Sequence, residues 1–376
     1  MENIVGQKSS LTWVVHISVV LMVVLWTIPT FGLLVSSFRD RDQITTSGWW
    51  LSLFPSESST MYRAPNGDAA VPEGEKFVIA GNVFDGGTGT ISAFGTSSKE
   101  PAKYQAGEIA TLADGSTLTV ATDGAYRLES SASLAGVKGQ RIFIASKTPP
   151  KFSLDNYRRV LGAEGLGQSF LNTMTVAIPA TIIPILIAAF AAFALAWMEF
   201  PGRALLIAVV VGVLVVPLQL ALIPLLKIHN QLGIGKTYYG IWLAHTGFGL
   251  PLAIYLLRNY MVGLPREIIE SARVDGATDF QIFLKIILPL SFPALASFAI
   301  FQFLWTWNDL LVAIVFLGNT ADQQVMTSQL KELLGSKGGD WEILATSAFI
   351  SIAVPLCVFF AMQKYLVRGL LAGSVK

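Results

Sequence analysis

The chain has 376 residues, of which 53% are hydrophobic and only 14% are charged, against about 25% charged residues in typical soluble domains. Its formal net charge is +1, which gives no indication of a nucleic-acid partner. This composition excludes an ordinary soluble domain and predicts an integral membrane protein. Cys357 is the only cysteine, so a disulfide within the chain is impossible.

Charge-free hydrophobic segments recur along the chain, each long enough for the roughly 20 residues that cross a bilayer. They cover residues 9–38, 165–198, 204–226, 237–257 and 343–363, and a further window at 286–308 continues past Asp309 into 310–318. The first segment is too long for a signal peptide and lacks a small-residue cleavage site, so we expect it to remain as an anchor. The sequence therefore predicts an α-helical integral membrane protein with six transmembrane helices.

Residues 39–168 have a different character, being rich in Gly, Ser and Thr. Short runs of alternating hydrophobicity cover residues 76–80, 90–94, 108–112, 116–122, 126–129 and 140–145. Turn signals separate these runs, including Asp85-Gly86-Gly87, Asp114-Gly115 and Asp123-Gly124. Long loops cross a membrane largely regardless of their charge. The pattern therefore predicts a β-rich extracytoplasmic domain, a hairpin-rich sandwich or barrel, inserted between helices 1 and 2.

The basic residues near the ends of short loops predict the orientation in the membrane, because cytoplasmic loops carry an excess of Lys and Arg. With the N-terminus inside, the inner segments carry Lys8, Arg203, Arg258, Arg266, Arg273, Lys285, Lys364, Arg368 and Lys376. The short outer loops carry only Lys227, Lys236, Lys331 and Lys337. We therefore expect both termini, and the polar loop at 259–289, on the cytoplasmic side.

That polar loop has the signals of two short helices. Pro265 can open the first helix, Asp275-Gly276 breaks it, and Thr278 can cap a second helix that runs into Pro289. Apolar residues recur at helical spacing: Ile268, Ile269, Ala272, Phe280, Phe283, Leu284 and Ile287. The pattern predicts a helix–turn–helix at the membrane surface, whose apolar face suits docking into a groove on a soluble partner.

Several predicted spans contain prolines, namely Pro179, Pro184, Pro217, Pro224, Pro251, Pro293 and Pro355. Proline lacks the N–H that would bond the carbonyl group one turn earlier. Inside a membrane, such a freed carbonyl is tolerated only where protein or a water-filled cavity satisfies it. Kinked helices would suit a path that opens to alternate sides, and static irregular packing is the alternative.

The polar loop also resembles a known motif. Glu270-Ser271-Ala272, followed at fixed spacing by Gly276, Ile286 and Leu288-Pro289, resembles the EAA loop of bacterial ABC importer permeases, with Ser271 where that pattern has Ala. Residues 152–157, 172–173, 217–224, 307–309 and 369–376 are similar to the carbohydrate-uptake branch, the MalG-like permeases. The resemblance covers roughly residues 11–38 and 150–376, and its details resemble α-glucoside permeases.

The resemblance implies a membrane-spanning permease subunit of an ATP-driven sugar importer, for an oligosaccharide or α-glucoside, in the bacterial cytoplasmic (inner) membrane. The chain would not be an enzyme and would bind no cofactor directly, since two separate ATPase subunits would use ATP and Mg. A second, MalF-like permease subunit, an extracytoplasmic sugar-binding protein and membrane lipid would be its other partners. The residues implied in ATPase coupling are Glu270, Ser271, Ala272, Asp275, Gly276, Ala277, Ile286, Leu288 and Pro289.

The predicted organisation begins with a cytoplasmic tail at 1–10 and transmembrane helix 1 at 11–38. The β-rich insertion and its linker occupy 39–168, and a five-helix permease core occupies 169–366, with the coupling loop at 259–289. A cytoplasmic tail covers 367–376. The insertion is larger than the first outer loop usual in MalG-like permeases. It is either an accessory that stabilises the assembly, or a part that contacts the binding protein or shields the entrance.

Candidates for a substrate pathway lie near the end of the window at 286–308. Aromatic rings stack on sugar faces, while amides and carboxylates bind hydroxyl groups, and the candidates are Gln302, Trp305, Asn308 and Asp309. An acid inside a hydrophobic segment is a functional candidate, although Asp309 could also reach interfacial water. We expect Trp307 to be an interfacial anchor. For His245 a buried, hydrogen-bonded position is favoured over a pathway role.

Two other readings are weaker. Gly235-Lys236-Thr237 ends like a phosphate-binding loop, but Asn230 occupies the position of its first glycine, so we expect no ATP site here.

A stand-alone secondary transporter or a membrane-anchored sensor is the alternative class of function. A carrier would show more charged residues or broken helices within its spans, and a sensor would end in a sizeable cytoplasmic domain. The sequence favours the importer.

Overall fold

The computed structural model describes residues 10–84, 89–162, 164–318 and 320–372, with only the backbone described for residue 10 and for 366–372. The predicted turn at Asp85-Gly86-Gly87, Lys8 and the last four residues of the predicted tail lie outside these ranges. The chain forms two compact units. The first contains the residues up to Asn156 together with 339–346, and the second contains 157–338 and 347 onward.

The first unit begins with a long apolar helix, α1 (Ser10–Ser37). A short helix, α2 (Arg41–Thr46), follows, and Asp40 caps it by accepting a hydrogen bond from the Gln43 N–H at 3.0 Å. One turn of 3-10 helix then covers Trp49–Leu51. The α1 bounds lie within one residue of the predicted segment 9–38, because charge-free composition marks both ends.

Two antiparallel sheets form the rest of this unit. Their strands are β1 (Ser56–Arg63), β2 (Val71–Glu73), β3 (Lys76–Asn82), β4 (Thr90–Gly95), β5 (Tyr104–Gln105), β6 (Ile109–Thr111), β7 (Thr117–Val120), β8 (Ala125–Ser130) and β9 (Arg141–Thr148). The strand orders are β1-β9-β4-β5 and β2-β3-β8-β7-β6. All six predicted runs coincide with strands, whereas β1, β2 and β5 were not predicted.

The sheets share one hydrophobic core, as the alternation of their strands requires. Side chains from both sheets meet in it, among them Ile79, Leu118, Leu128, Phe94, Ile142 and Ile144. The first and last strands of the region pair along their whole length, with Ser56 opposite Thr148. The polypeptide therefore enters and leaves the sheet region at adjacent points.

The second unit is helical. Its helices are α3 (Asp155–Leu161), α4 (Leu166–Trp197), α5 (Arg203–Val213), α6 (Leu218–Gln231), α7 (Tyr238–Val262), α8 (Arg266–Val274), α9 (Asp279–Ile282), α10 (Leu288–Leu290), α11 (Phe292–Asn308), α12 (Leu311–Phe316), α13 (Met326–Ser336) and α14 (Trp341–Ala372). The ends of α3 and α14 extend into the first unit. A π-helical segment, Phe283–Ile287, joins α9 to α10.

Four of the described helices, α1, α4, α7 and α14, are long and apolar enough to cross a membrane. Two further pairs pass the same test only as bent pairs, α5 with α6 at 105° and residues 279–290 with α11 at 69°. The predicted windows at 204–226 and 286–308 are therefore not straight helices. Pro217 lies at the first bend, and Pro289 and Pro293 flank the second, where their missing N–H groups weaken the helical ladder.

Helix α4 packs against both α7 and α11 in the second unit. Its buried residues include Ala180, Ala188, Ala189 and Ala192. Small side chains allow helix backbones to approach closely in a membrane, where van der Waals contact replaces the hydrophobic effect between helices. The predicted permease core is thus packed around an alanine-rich helix.

Candidate coupling site

The predicted helix–turn–helix is present, and we call residues 266–290 the coupling element. Helix α8 follows Pro265 and ends at Val274, with Asp275 as its C-cap. Gly276 has a φ of 79°, in the left-handed region that favours glycine. The Ala277 N–H donates to the Ala272 carbonyl, and the Gly276 N–H to the Arg273 carbonyl, both at 3.0 Å. These two bonds form a Schellman motif, which fixes the chain direction after α8.

The second half of the coupling element starts with a capping box. The Thr278 hydroxyl accepts from the Gln281 N–H at 3.3 Å, and the Gln281 side chain accepts from the Thr278 N–H at 2.9 Å. Helix α9, the π-helical segment and α10 then run without interruption to Leu290. The prediction that Thr278 caps a helix ending near Pro289 is confirmed.

One face of the coupling element belongs to the core of the membrane helices. Ile269, Ile282, Phe283 and Ile287 are buried in one cluster with residues of α4, α7 and α11. The ring of Phe283 lies 4.5 Å from that of Phe190 and 5.3 Å from that of Phe193, measured between centroids. The coupling element and the membrane helices therefore share a single packed interior.

Hydrogen bonds also connect the coupling element to the C-terminal end of α4. Arg273 Nη2 donates to the Trp197 carbonyl at 3.3 Å and to Asp279 Oδ1 at 3.2 Å. The Trp197 indole N–H donates to the Met261 carbonyl of α7 at 3.1 Å. The last carbonyls of a helix have no partner in that helix and carry partial negative charge, so a guanidinium group stabilises them. These bonds tie α8 to the ends of two membrane helices.

Arg203 also stabilises the C-terminal end of α4. Its guanidinium group donates to the carbonyl oxygens of Leu195, Ala196 and Met198 at 2.9, 3.1 and 3.1 Å. A cleft of about 320 Å³ beside this end is lined by Glu199, Arg203, Arg266, Glu270 and Arg273 together with apolar residues. The end of α4 is thus held by arginines from two elements.

The opposite face of the coupling element is exposed and partly apolar. Val274 is 88% exposed and Phe280 is 61% exposed, and Ile268 and Leu284 are exposed beside them. The Glu270 carboxylate accepts from Arg266 Nε at 2.7 Å, an exposed pair separated by one helical turn. This face combines hydrophobic side chains with charge, as a docking surface for a soluble protein does.

The predicted coupling residues divide between the two faces. Ala272, Ala277 and Leu288 pack against the shared core, and Ile286 is half-buried. The exposed members are Glu270, Ser271, Asp275, Gly276 and Pro289. Sequence reasoning did not select Val274, Arg273 or Trp197 as coupling residues. Val274 could have been identified, because an apolar residue in a charged helix is a visible sequence signal. The bond from Arg273 to Trp197 could not, because it joins residues far apart in the chain.

Some of the predicted pathway residues come together inside the second unit. Gln302 is buried, and its Nε2 donates to the Ala180 carbonyl at 3.1 Å and to the His245 carbonyl at 3.4 Å. Asp309 Oδ2 lies 3.7 Å from His245 Nε2 and accepts from the Val312 N–H at 3.0 Å. Trp305 and Asn308 are exposed and do not join this group.

The expectation that Trp307 is an interfacial anchor is wrong. Trp307 is only 1% exposed, and its ring packs against Phe170 and Phe303. Its indole N–H donates to the Ser351 carbonyl at 2.9 Å. Residue 355, one turn later in α14, is proline and cannot supply the usual helical donor to that carbonyl. Trp307 therefore replaces a missing helical hydrogen bond.

Two other proline-freed carbonyls are satisfied in the same way. Pro184 cannot donate to the Ala180 carbonyl, which accepts from Gln302 instead. Pro179 cannot donate to the Thr175 carbonyl, which accepts from the Trp242 indole N–H at 2.8 Å. The expectation that protein groups satisfy freed carbonyls is confirmed for these prolines, and each donor comes from a neighbouring helix.

The fold combines apolar helices long enough to cross a membrane with an amphipathic helix–turn–helix packed against them. Residues 170–371 match the family described as binding-protein-dependent transport system inner membrane component. The chain belongs to this family.

Named relatives cover different shares of the chain. The chain is 66% identical to the alpha-glucoside transport system permease protein AglG of Rhizobium meliloti (strain 1021). The alignment covers 99% of this chain and 99% of that relative. The chain is 61% identical to the osmoprotective compounds uptake permease protein GgtD of Synechocystis sp., over 60% of this chain and 76% of that one. A solved bacterial ABC transporter involved in the import of alginate aligns with 58% of this chain and 81% of that chain, at 24% identity and a TM-score of 0.49.

Proposed function

We propose that this chain imports an α-glucoside or a related oligosaccharide as one of two permease subunits, powered by two separate ATPase subunits. The identity of 66% over nearly the full length with an alpha-glucoside transport permease supports this substrate class. A second, MalF-like permease and an extracytoplasmic sugar-binding protein complete the assembly. ATP and Mg are used by the ATPase subunits.

The observation that carries the proposal is the two-sided coupling element. Its inner face, with Phe283 and Ile287, is part of the core formed by α4, α7 and α11. Its outer face leaves Val274, Phe280 and Glu270 available to another protein. A partner that binds the outer face can therefore move the membrane helices that pack against the inner face.

Movement is transmitted through rigid contacts in this proposal. Packed interiors are not continuously deformable, so a displaced coupling element moves the helices packed against it as a body. Arg273 and Trp197 link α8 to the ends of α4 and α7. When the ATPase subunits close, α4 and α7 would tilt together and open the path to the other side.

The proposed topology has six spans, with each bent pair counted as one, and both termini in the cytoplasm. Within the first unit, the Thr346 hydroxyl donates to the Ser37 carbonyl at 3.2 Å, and Arg41 pairs with Asp340 at 2.9 Å. The end of α1 and the start of α14 are thus in contact, which supports the proposal that both helices have these ends on the same side of the membrane. The sheet region follows α1 and would be an extracytoplasmic insertion.

The polar cluster around Gln302 is the proposed contact with the sugar. Among the described residues, Gln302 Oε1, His245 Nε2 and Thr306 Oγ1 are buried without a hydrogen-bond partner. Buried polar groups normally bind protein or ordered water, so these atoms offer sites for water or for sugar hydroxyl groups. Asp309, Trp305 and Asn308 would extend the pathway towards the end of α11.

The experiment is uptake into proteoliposomes that contain the complete complex, with a panel of radiolabelled sugars. The proposal predicts ATP-dependent uptake of α-glucosides such as maltose or trehalose, with little uptake of β-linked disaccharides. Uptake by this chain alone, driven by an ion gradient, would establish the secondary-transporter alternative. ATP-dependent uptake restricted to non-sugar compounds would contradict the substrate class while leaving the importer role intact.

A further inference from the structure

A short aromatic segment follows the first membrane helix. Residues 49–54 read WWLSLF, and we call them the aromatic segment. Trp50, Leu53 and Phe54 are 68%, 76% and 64% exposed, and Leu51 is exposed as well. A contiguous apolar surface of this kind marks a contact with another protein or with a membrane.

The aromatic segment folds back onto α1. The ring of Trp49 lies 5.8 Å from that of Phe31, in an edge-to-face arrangement. Gly32 makes room for it, because a Cβ atom at this position would lie only 2.7 Å from Trp49 Nε1. Trp49 thus packs on α1 at Gly32, where the helix has no side chain. The exposed residues of the aromatic segment continue the exposed apolar surface of α1.

The depth of Gly32 in the membrane follows from helix geometry. The 28 residues of α1 extend about 42 Å at 1.5 Å per residue, and about 20 of them cover a hydrocarbon core of about 30 Å. If the core is centred on the helix, it covers roughly residues 14–33. Gly32 then lies at the boundary between hydrocarbon and headgroups, where tryptophan is enriched in membrane proteins.

The turn that returns the chain to α1 is held by a buried arginine. Arg39 donates to the Gln43 carbonyl at 2.7 Å, to the Ser47 carbonyl at 3.0 Å and to the Ser47 hydroxyl at 2.6 Å. The Asn156 side chain donates to the Arg39 carbonyl at 2.8 Å. The aromatic segment therefore has a fixed position relative to the end of α1, rather than that of a loose loop.

We propose that the aromatic segment inserts Trp50, Leu53 and Phe54 into the membrane interface beside the C-terminal end of α1. The occupant of this surface is lipid, since the segment continues the surface of a membrane helix at headgroup depth. The sheet region begins at Ser56, two residues later. The segment would thus hold the base of the sheet region at the membrane surface.

The experiment uses spin labels in lipid nanodiscs, with Cys357→Ala as a background, since this chain has no other cysteine. Leu53→Cys and Phe54→Cys carry the test labels. Leu21→Cys in α1 is the lipid control, and Ile109→Cys in β6 is the control for an equally exposed apolar side chain of the sheets. All four side chains are exposed, so labelling leaves the packed cores intact.

Power saturation compares accessibility to oxygen, which concentrates in lipid, with accessibility to a nickel chelate, which stays in water. We expect the ratio of oxygen accessibility to nickel-chelate accessibility to be at least threefold higher for labels at positions 53 and 54 than for the label at position 109. The ratio at positions 53 and 54 should approach the ratio at position 21. Nickel accessibility equal to that at 109 would overturn the proposal. Exclusion of both reagents would also overturn it, because a protein partner would then cover the segment. The measurement needs neither ATPase nor sugar, so its outcome is independent of the transport proposal.

Discussion

Trp307 and Ser351 are joined by a hydrogen bond of 2.9 Å, from the indole N–H to the carbonyl that Pro355 leaves without its helical donor. The same relationship links Gln302 with Ala180 and Trp242 with Thr175. At these three prolines, the freed carbonyl is thus paired with a side-chain donor on a neighbouring helix. Tertiary contacts therefore supply the hydrogen bonds that these three prolines remove from their own helices.

Replacement of Trp307 tests this pairing. Trp307→Phe removes the donor and should lower stability by about 1 kcal/mol, the typical net contribution of a hydrogen bond. In the Pro355→Ala background the new N–H bonds the Ser351 carbonyl, so the same replacement should cost much less. Thermal unfolding of the four variants in detergent measures the coupling. Equal losses in both backgrounds would show that the indole bond does not compensate for the proline.

Gly276 has a conformational role that two substitutions separate. Gly276→Val should destabilise the turn by about 1–2 kcal/mol or more, because a β-branched residue is strained at positive φ. A Cβ atom there meets no atom within 4 Å, so a clash is not the cause. Gly276→Asn should retain most ATPase association, since asparagine tolerates the left-handed region. Copurification of the ATPase checks both variants, and equal behaviour would contradict a conformational role.

Arg273 should transmit movement rather than bind the ATPase. Arg273→Met removes the bond to Trp197 and should reduce sugar-stimulated ATP hydrolysis several-fold while the ATPase still copurifies. The effect on thermal stability should be small, about 0.5–1 kcal/mol, because the side chain is partly exposed. Arg273→Lys retains the cation and should recover part of the stimulation. Loss of copurification in Arg273→Met would instead place this residue in the docking surface.

The sheet region should be separable from the membrane helices. Because Ser56 pairs with Thr148, a linker of a few Gly and Ser residues can replace 56–148 without stretching the chain. Membrane insertion and ATPase association should persist, as measured by fractionation and copurification. Uptake that depends on the binding protein would fall if the region contacts that protein, and would stay unchanged if it is an accessory. Loss of insertion would show that the region is needed for the membrane fold.

The sequence predicted what depends on local chemistry. Thr278 and Gly276 mark a cap and a turn through their own side-chain and backbone properties, and both lie where expected. The strands that pattern analysis missed, β1, β2 and β5, all lie at sheet edges, where one side has no neighbouring strand and burial imposes little alternation. Strand β1 reads SESSTMYR, which has almost no hydrophobic signal.

Contacts between distant residues escaped prediction for a different reason. The donor for each proline-freed carbonyl depends on which helix packs beside it, and spacing along the chain does not contain that information. Trp307 was therefore expected at an interface, although it is buried against α14. Prolines were expected to kink the windows at 204–226 and 286–308, but the size of the two bends, 105° and 69°, was not predicted, because a charge-free window measures length and composition but not helix direction.

Photo-crosslinking from Val274 tests the central claim most directly. Benzoylphenylalanine at position 274, the most exposed apolar side chain of the coupling element, would be irradiated in the assembled complex. Leu232, an exposed residue between α6 and α7, is the matched control. We predict a covalent adduct with an ATPase subunit from position 274 and none from position 232. An intact complex that gives no ATPase adduct from 274, or equal adducts from both positions, would contradict the assignment of residues 266–290 as the coupling element.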